Sequence, residues 1–206
     1  MIGTSGVSKQ KSKPRSSSLF ENPTLLVKGQ DAESIVQDFL HSWKSHITQV
    51  EDLREDTTWQ ERDVDFRVHM RTGTKLLIEV KSDKWLGVSR NVLFEVLRIH
   101  HTATPEHCAR LGWSIFSGAD RFFVWSPEIK SLYVFKTEDF RRAMQNYVKA
   151  SRREANVSIV PTDSKRTTFN ILVPITYVPY LVYAKREGKW ELIGKYEATQ
   201  PTRKAA

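Results

Sequence analysis

The sequence predicts a mixed α/β fold, because a helical pattern and strand-like patterns follow one another along the chain. Residues 30–47 carry apolar side chains at helical spacing. Residues 63–70 alternate apolar and polar side chains, residues 75–82 read as a second strand, and Gly73 lies in the turn between them, so the two segments predict an antiparallel hairpin. The length of 206 residues fits one core with appendages rather than two full domains.

Composition divides the chain into three predicted segments. Residues 1–20 contain lysines, an arginine and serines but no acid, which predicts a disordered basic tail. Residues 21–150 are predicted to form the core, and residues 151–206 a loop followed by a β-rich extension. The tail is either a basic arm that lies on nucleic acid or a flexible leader.

Short apolar runs and turn signals predict the central elements. Strands are expected at 121–125 and 131–135, on either side of a turn at Ser126 and Pro127. A strand is also expected at 91–99, where a helix is the alternative because short apolar runs are ambiguous.

The rest of the chain is predicted from polar stretches and caps. Residues 51–56 and 151–168 are polar, which predicts loops. Thr137 is the predicted N-cap of a helix that ends near residue 150. Residues 169–196 predict further strands, with a hairpin at Glu187–Gly188.

Composition also limits the class of protein. The formal net charge of +8 favours polyanionic partners, although many basic proteins bind no nucleic acid. No apolar run approaches the roughly 18 residues of a membrane span, and the N-terminus has no secretory pattern. Cys108 is the single cysteine, which fits a reducing compartment, so we expect a cytoplasmic protein without a membrane partner.

The candidate active site is the tripeptide Glu79-Val80-Lys81 on the second hairpin strand. Strand side chains alternate, so Glu79 and Lys81 project from the same face, and hairpin pairing can bring Asp65 beside Glu79. Two carboxylates and a lysine at this spacing suit Mg²⁺, which takes one or two carboxylates together with water and phosphate oxygens. The pattern therefore predicts phosphodiester hydrolysis, with Asp65 and Glu79 on the metal and Lys81 beside the attacking water.

The tripeptide alone is common, and its context makes the prediction specific. Three other copies of the pattern occur, at 128–130, 163–165 and 187–189. Only the copy at Glu79 follows an apolar strand, a hairpin turn and an acid-bearing partner strand. The structural alternative is a solvated strand face with an ion pair between neighbouring side chains.

The segments 62–68 and 76–81 together resemble the core motif of the PD-(D/E)XK nuclease superfamily. The resemblance covers roughly residues 28–137 and implies a restriction-endonuclease-like core, in which a mixed sheet of about four strands lies between two helices. It leaves the C-terminal strands outside the core as a β-rich extension. The proline that names the motif is absent before Asp63 and before Asp65.

The resemblance also assigns roles to residues. It implies catalytic residues Asp65, Glu79 and Lys81, with Glu33 contributed by the first helix, and metal ligands Asp65, Glu79 and Val80. Asp63 is the alternative for the first acid, since it would share a strand face with Asp65. The implied cofactor is Mg²⁺, for which Mn²⁺ could substitute, and the implied partner is DNA. Superfamily members often dimerise, so a homodimer is a candidate assembly.

A second, weaker resemblance lies downstream, where residues 91–95, 112–113 and 117–120 are similar to small phage-borne or mobile-element-borne members. It would place Glu95 on a strand beside the Glu79 strand. Glu95 and Asp83 are second-rank candidates for the site, and Trp85 is a candidate for contact with substrate at its mouth.

Basic residues near the motif and in the second half of the chain are candidates for phosphate contacts, with a solvated surface as the alternative reading. They are Lys84, Arg90, Arg141, Arg142, Arg152 and Arg153. Two other functions remain open: a nuclease fold that binds nucleic acid without cutting it, and an assembly protein whose basic tail docks on a partner.

Overall fold

The computed structural model describes residues 23–102, 104, 108–151, 157–163 and 166–199. Within these ranges the helices are α1 (Pro23–Ser42), α2 (Thr57–Gln60), α3 (Leu86–Ser89), α4 (Trp113–Phe116) and α5 (Thr137–Ser151), with a 3₁₀ turn at Ile175–Tyr177. The strands are β1 (Ile47–Asp52), β2 (Phe66–Met70), β3 (Lys75–Ser82), β4 (Asn91–His100), β5 (Ala109–Leu111), β6 (Arg121–Ser126), β7 (Ser131–Lys136), β8 (Val157–Asp163), β9 (Arg166–Pro174), β10 (Tyr180–Arg186) and β11 (Lys189–Tyr196).

The main sheet is mixed, and its strand order is β1-β2-β3-β6-β7-β10-β11. Strands β3 and β6 run parallel, and every other pair in this sheet is antiparallel. A second, antiparallel sheet has the order β5-β4-β9-β8. The fold is therefore α/β with a large mixed sheet and few helices, as predicted in its class.

The main sheet is apolar on both faces. Helix α1 covers one face, where Phe39 packs with Phe66, Ile78 and Phe123 in one buried cluster. The other face packs against α5 and the second sheet. There Phe140 of α5 stacks on Phe94 of β4, with ring centroids 3.9 Å apart. Alternation along β3 therefore decides which side chains point toward α1 and which toward the second sheet.

The connection from β3 to β6 places the second sheet over the main one. Parallel neighbours need a crossover connection, which is usually a helix. Over its described residues, the crossover contains β4, β5 and the short helices α3 and α4. Strand β4 pairs with β9, so the crossover and the C-terminal half of the chain build one layer together.

Several sequence predictions are confirmed. Strands β2 and β3 form the predicted antiparallel hairpin, and Gly73 adopts φ +85° in its turn. Residues 91–100 form a strand rather than the alternative helix. The turn at Glu187–Gly188 joins β10 to β11, where both residues have positive φ.

Other predictions were wrong near the first helix and at Thr137. Helix α1 ends at Ser42, and residues predicted as its end and as a loop form β1. The apolar Ile47 fits the helical spacing of α1 as well as the strand pattern of β1. In the structure it is the first residue of β1 and is buried on the face of the sheet that α1 covers. Thr137 does not cap α5, because its hydroxyl has no hydrogen-bond partner among the described residues.

The C-terminal region also differs from the prediction. Much of the predicted loop at 151–168 is strand, since β8 pairs with β9 along its length. Strands β10 and β11 continue the main sheet beyond β7, which gives seven strands where about four were expected. Strand β8 is only seven residues long and contains Pro161, so its short apolar run gave little sign of a strand. The tail at 1–20 lies outside the described residues.

Candidate active site

Asp65 is fixed by the start of the β2–β3 hairpin. It immediately precedes β2, and its backbone nitrogen donates a 2.8 Å hydrogen bond to the carbonyl of Ile78. Its carbonyl accepts a 2.9 Å hydrogen bond from the backbone nitrogen of Leu53. The carboxylate oxygen Oδ2 accepts a further hydrogen bond, 2.7 Å long, from the backbone nitrogen of Val80. Main-chain pairing thus holds Asp65 against the Glu79-Val80-Lys81 segment.

Glu79 is a buried acid with an incomplete set of contacts. Ile78 and Val80 pack toward α1, so Glu79 projects from the opposite face of β3 and is only 2% exposed. Its Oε1 contacts the ammonium of Lys81, whereas Oε2 has no hydrogen-bond partner among the described residues. Burial, reinforced by the charges of Asp65 and Asp63, raises the pKa of Glu79 to about 8 although Lys81 opposes the shift.

Lys81 lies on the same face, one pleat further along β3. Burial alone would lower its pKa, but the carboxylates of Glu79, Asp65 and Asp63 outweigh burial and hold the pKa of Lys81 above its usual value. The ammonium also lies 5.5 Å from the ring centroid of Trp113, over its face. Lys81 therefore stays charged at neutral pH and is held between carboxylates and an indole ring.

Glu33 reaches the site from α1. Its carboxylate oxygen Oε2 forms an ion pair with the guanidinium of Arg54 at 3.0 Å, and Arg54 also pairs with Asp52. Burial raises the pKa of Glu33, and the charges of Asp65 and Lys81 also act on it. The structure thus brings Glu33 near the acidic pair, with Arg54 already neutralising it.

The alternative and second-rank acids lie in different places. Asp63 does not share a strand face with Asp65, because it lies in the turn before β2 with φ +48°. Asp83 caps the turn into α3, since its Oδ1 accepts hydrogen bonds from the backbone nitrogens of Trp85 and Leu86, and burial raises its pKa. The expectation that Glu95 lies on a strand beside the Glu79 strand was wrong, because β4 belongs to the second sheet.

A cleft of about 1090 Å³ lies between α1, the end of β3 and the second sheet. Lys81 and Val80 reach it from the main sheet, and Glu95 and Asn170 reach it from the second sheet. Acids are mixed with the basic residues Lys84, Arg98 and Arg166 along its walls. The cleft therefore carries charges of both signs rather than being uniformly basic.

The candidate phosphate contacts are spread over several surfaces. The Lys84 ammonium lies 4.7 Å from the ring centroid of Trp85, whose indole is 60% exposed at the cleft. Arg90 has φ +55° at the end of α3, and its carbonyl accepts a hydrogen bond from Ile175.

The basic residues of α5 differ from one another in their contacts. Arg141 donates to the carbonyls of Ser114 and Ser117, so its guanidinium anchors α4 to α5. Arg142 is exposed and pairs with acids of its own helix. Arg152 and Arg153 lie outside the described residues.

The donor set limits which metal the site could hold. Among the described residues, no three His, Cys, Asp or Glu side chains converge as they would in a protein-only cage. Asp65 and Glu79 offer two carboxylates, and the buried Oε2 of Glu79 lacks a partner. An ion that needs few protein ligands and retains water, such as Mg²⁺, fits this set.

Two contributors to the site were missed by the sequence reading. Trp113 was noted only as part of a resemblance, and its place over Lys81 depends on the crossover that brings α4 above β3. Asn170 lies in β9, where residues 168 and 170 are both buried and polar. Two polar residues separated by one position, within a strand, are the signal that could have identified this wall of the cleft.

No protein-family model matches the chain, and no curated protein matches it significantly in sequence. Among solved structures, the chain is similar to a bacterial homing endonuclease, I-Ssp6803I, with a TM-score of 0.39 and 18% sequence identity. The alignment covers 56% of this chain and 70% of that chain. This level of similarity assigns neither the family nor the function of the chain. Over the described part of the chain, no helix is both long and apolar enough to span a membrane.

Proposed function

We propose that the protein is a Mg²⁺-dependent endonuclease that hydrolyses phosphodiester bonds of DNA through a PD-(D/E)XK site. One observation carries the proposal: the β2–β3 hairpin brings the carboxyls of Asp65 and Glu79 together with the ammonium of Lys81, and Lys81 lines a large cleft. The carboxyls of Glu79 and Asp65 lie within hydrogen-bonding reach of each other, and Oε2 of Glu79 is buried without a donor from the described residues. A cation bound between the two carboxylates would relieve their repulsion.

In this proposal Asp65, Glu79 and Val80 hold the cation, and Mn²⁺ can replace Mg²⁺. When bound, such an ion would act as a Lewis acid that lowers the pKa of a bound water molecule and neutralises charge on the phosphoryl oxygens. The ammonium of Lys81 orients the attacking water by hydrogen bonding, and its positive charge opposes the negative charge that develops on the phosphate. Glu33 and Arg54 set the charge around Asp65.

Substrate binding is assigned to the cleft and to basic residues at the cleft and on α5. Lys84 lies at the cleft, and Arg142 presents an exposed guanidinium on α5. Contacts of this kind position a phosphate backbone but carry no sequence information. A homodimer is part of the proposal, because one such site cuts one strand.

The test is cleavage of supercoiled and branched DNA in Mg²⁺, Mn²⁺ or EDTA. Lys81→Ala is expected to abolish cleavage, because it removes the group that lies beside both carboxylates. Lys189→Ala is the matched control, since Lys189 belongs to another Glu-x-Lys tripeptide, at the exposed β10–β11 hairpin. Cleavage that requires metal, survives in Lys189→Ala and disappears in Lys81→Ala is the expected result.

The opposite result would change the assigned function. If neither metal supports cleavage, but the wild type and Lys81→Ala both bind DNA in a salt-sensitive way, the chain is a binding module with a nuclease-like site. If DNA is not bound at all, an assembly role becomes the better explanation of the basic composition.

A further inference from the structure

The second sheet turns a polar face toward the cleft. Strand pairing places Asn170 of β9 opposite Glu95 of β4, and Thr168 opposite Arg98. All four side chains line the cleft. Glu95 and Arg98 are three residues apart yet share this face, because the register shifts between Glu95 and Leu97, as it does at a β-bulge.

Glu95 has a hydrogen-bond partner in this wall, whereas the side-chain oxygen of Asn170 has none among the described residues. Oε1 of Glu95 accepts a 2.7 Å hydrogen bond from the guanidinium of Arg98, with which it forms an ion pair. Nδ2 of Asn170 donates to the hydroxyl of Thr168 at 3.2 Å, whereas Oδ1 of Asn170 has no partner among the described residues. Asn170 is only 2% exposed, so bulk water does not bathe this amide. A buried acceptor without a donor is unfavourable, and at a cleft wall it points to a ligand that supplies the donor.

The chemistry of a nucleic acid limits which of its groups can be that donor. An ionised phosphodiester offers acceptors only, so it cannot satisfy Oδ1 of Asn170. In a duplex, base pairing occupies the ring N–H groups of guanine and thymine, so the donors of a nucleotide that remain free are the exocyclic amino groups of its base and, in RNA, the 2′-hydroxyl. The donor therefore belongs to the base or to the sugar of a nucleotide near the cut phosphate.

We propose that the β4–β9 wall is a nucleotide-recognition subsite, in which Oδ1 of Asn170 accepts a hydrogen bond from a base amino group or a 2′-hydroxyl next to the scissile phosphate. This inference rests on the proposed nuclease function. It makes Asn170 a specificity-determining residue, because Lys81 and the carboxylates act on the phosphate, which is the same in every nucleotide. The mixed charge of the cleft fits this role, since a wall that reads bases needs acceptors as well as cations.

The test compares wild type with Asn170→Ala and Asn170→Val. Cut ends on a supercoiled plasmid in Mg²⁺ are mapped by sequencing to reveal nucleotide preference around the cut. The wild type is expected to prefer donor-bearing nucleotides at one position. Both variants are expected to cut DNA, but the ratio of cutting at donor-bearing to other nucleotides at that position should fall about tenfold. Valine is well suited to a strand, so Asn170→Val replaces Asn170→Ala in the test if Asn170→Ala does not fold. Thermal unfolding shows whether each variant is folded. Asn146→Ala on α5 is the matched control, because Asn146 does not line the cleft.

Modified oligonucleotides separate the two sources of the donor. At the preferred position, inosine in place of guanosine and purine in place of adenine remove a base amino group, whereas a ribonucleotide adds a 2′-hydroxyl. Fluorescence anisotropy in EDTA measures binding of each oligonucleotide without cleavage. Tighter binding of the donor-bearing form by wild type, but not by Asn170→Ala, supports the subsite and identifies its source.

Failure of this inference is distinguishable from failure of the proposed function. If wild type does not cut in any metal, the nuclease proposal fails. The binding comparison then uses oligonucleotides substituted at each position in turn, so it still decides the subsite. If wild type has no preference, or Asn170→Ala keeps the same preference and the same discrimination in binding, Oδ1 is satisfied by water and the inference is overturned.

Discussion

The carboxylate of Asp65 accepts a 2.7 Å hydrogen bond from the backbone nitrogen of Val80, the residue between Glu79 and Lys81. This bond ties the acid at the start of β2 to the segment that carries the other charged groups. The position of Asp65 therefore follows from the hairpin register, in which Phe66 pairs with Ile78. The geometry of the site is set mainly by main-chain pairing and less by the conformation of long side chains.

We expect Mg²⁺ to stabilise the wild type against unfolding and to have little effect on Asp65→Asn. The amide oxygen of Asn still accepts the bond from Val80, so the fold is retained while one negative charge is lost. A ligand that binds only the folded state at 100 times its Kd adds about 2.7 kcal/mol to the free energy of unfolding. Thermal unfolding with and without Mg²⁺ measures this difference. Asp139→Asn on α5 is the control, and an equal Mg²⁺ shift in Asp65→Asn would remove Asp65 from the metal site.

The stability of the metal-free protein should depend on the ionisation of Glu79. Burial raises the pKa of Glu79 to about 8, so the folded protein holds this proton more tightly than the unfolded chain does. Stability then falls as pH rises from the unfolded pKa toward 8 and levels off above it, by at most about 1.4 kcal/mol per pH unit. We expect Glu79→Gln to lack this slope in denaturant unfolding with EDTA.

Glu128→Gln is the control for that pH profile, because Glu128 is exposed in the β6–β7 turn. It should follow the wild type at every pH. If Glu79→Gln also runs parallel to the wild type between pH 5 and pH 9, then Glu79 is ionised throughout and burial does not govern its pKa.

The hairpin and its three charged residues were predictable from local pattern. Alternation in 63–70, an apolar strand pattern in 75–82 and a turn at Gly73 predict the pairing, and pairing places Asp65 beside Glu79. The strand context also separated Glu79-Val80-Lys81 from the other copies. Of these, Glu128 and Lys130 lie in the β6–β7 turn, and Glu187 lies in the β10–β11 turn.

The second sheet and the cleft were not predictable in the same way. They depend on β4 pairing with β9, and the paired residues lie far apart in the chain, as Asn91 and Pro174 do. Such pairing leaves no short-range signal, because each strand shows only its own alternation. The same reason explains why Glu95 was expected on the wrong sheet and why β10 and β11 were assigned to an extension.

Glu33 is expected to matter less for cleavage than Glu79. Arg54 already pairs with the Glu33 carboxylate at 3.0 Å, so Glu33→Gln changes the charge around Asp65 without removing a primary ligand. Loss of an outer residue of this kind typically reduces activity by about 10–100-fold. We expect a smaller loss in Glu33→Gln than in Glu79→Gln when initial rates are measured in saturating Mg²⁺. Equal losses would place Glu33 directly on the cation.

Gly112 is expected to be intolerant of any side chain. A Cβ at this position would lie 2.1 Å from the carbonyl oxygen of Glu95, which is backbone and cannot swing away. Overpacking of this kind typically costs about 1–3 kcal/mol, so Gly112→Ala should unfold at a lower denaturant concentration. Gly118→Ala is the comparison, since its Cβ would meet only the flexible side chain of Arg62 at 3.3 Å. Equal stability of the two variants would mean that β4 and α4 can separate freely.

Trp85 is expected to contribute to binding through its exposed ring. The indole is 60% exposed at the cleft beside Lys84, and every nucleobase offers an aromatic face on which it can stack. Trp85→Ala should therefore weaken binding of a single-stranded oligonucleotide by about 1–3 kcal/mol, and Trp85→Phe should restore part of the loss. Anisotropy in EDTA at one fixed salt concentration measures the affinity without cleavage, because salt alone changes phosphate contacts. If Trp85→Ala and Trp85→Phe bind as the wild type does, the indole lies outside the path of the nucleic acid, and the substrate enters the cleft along the second sheet.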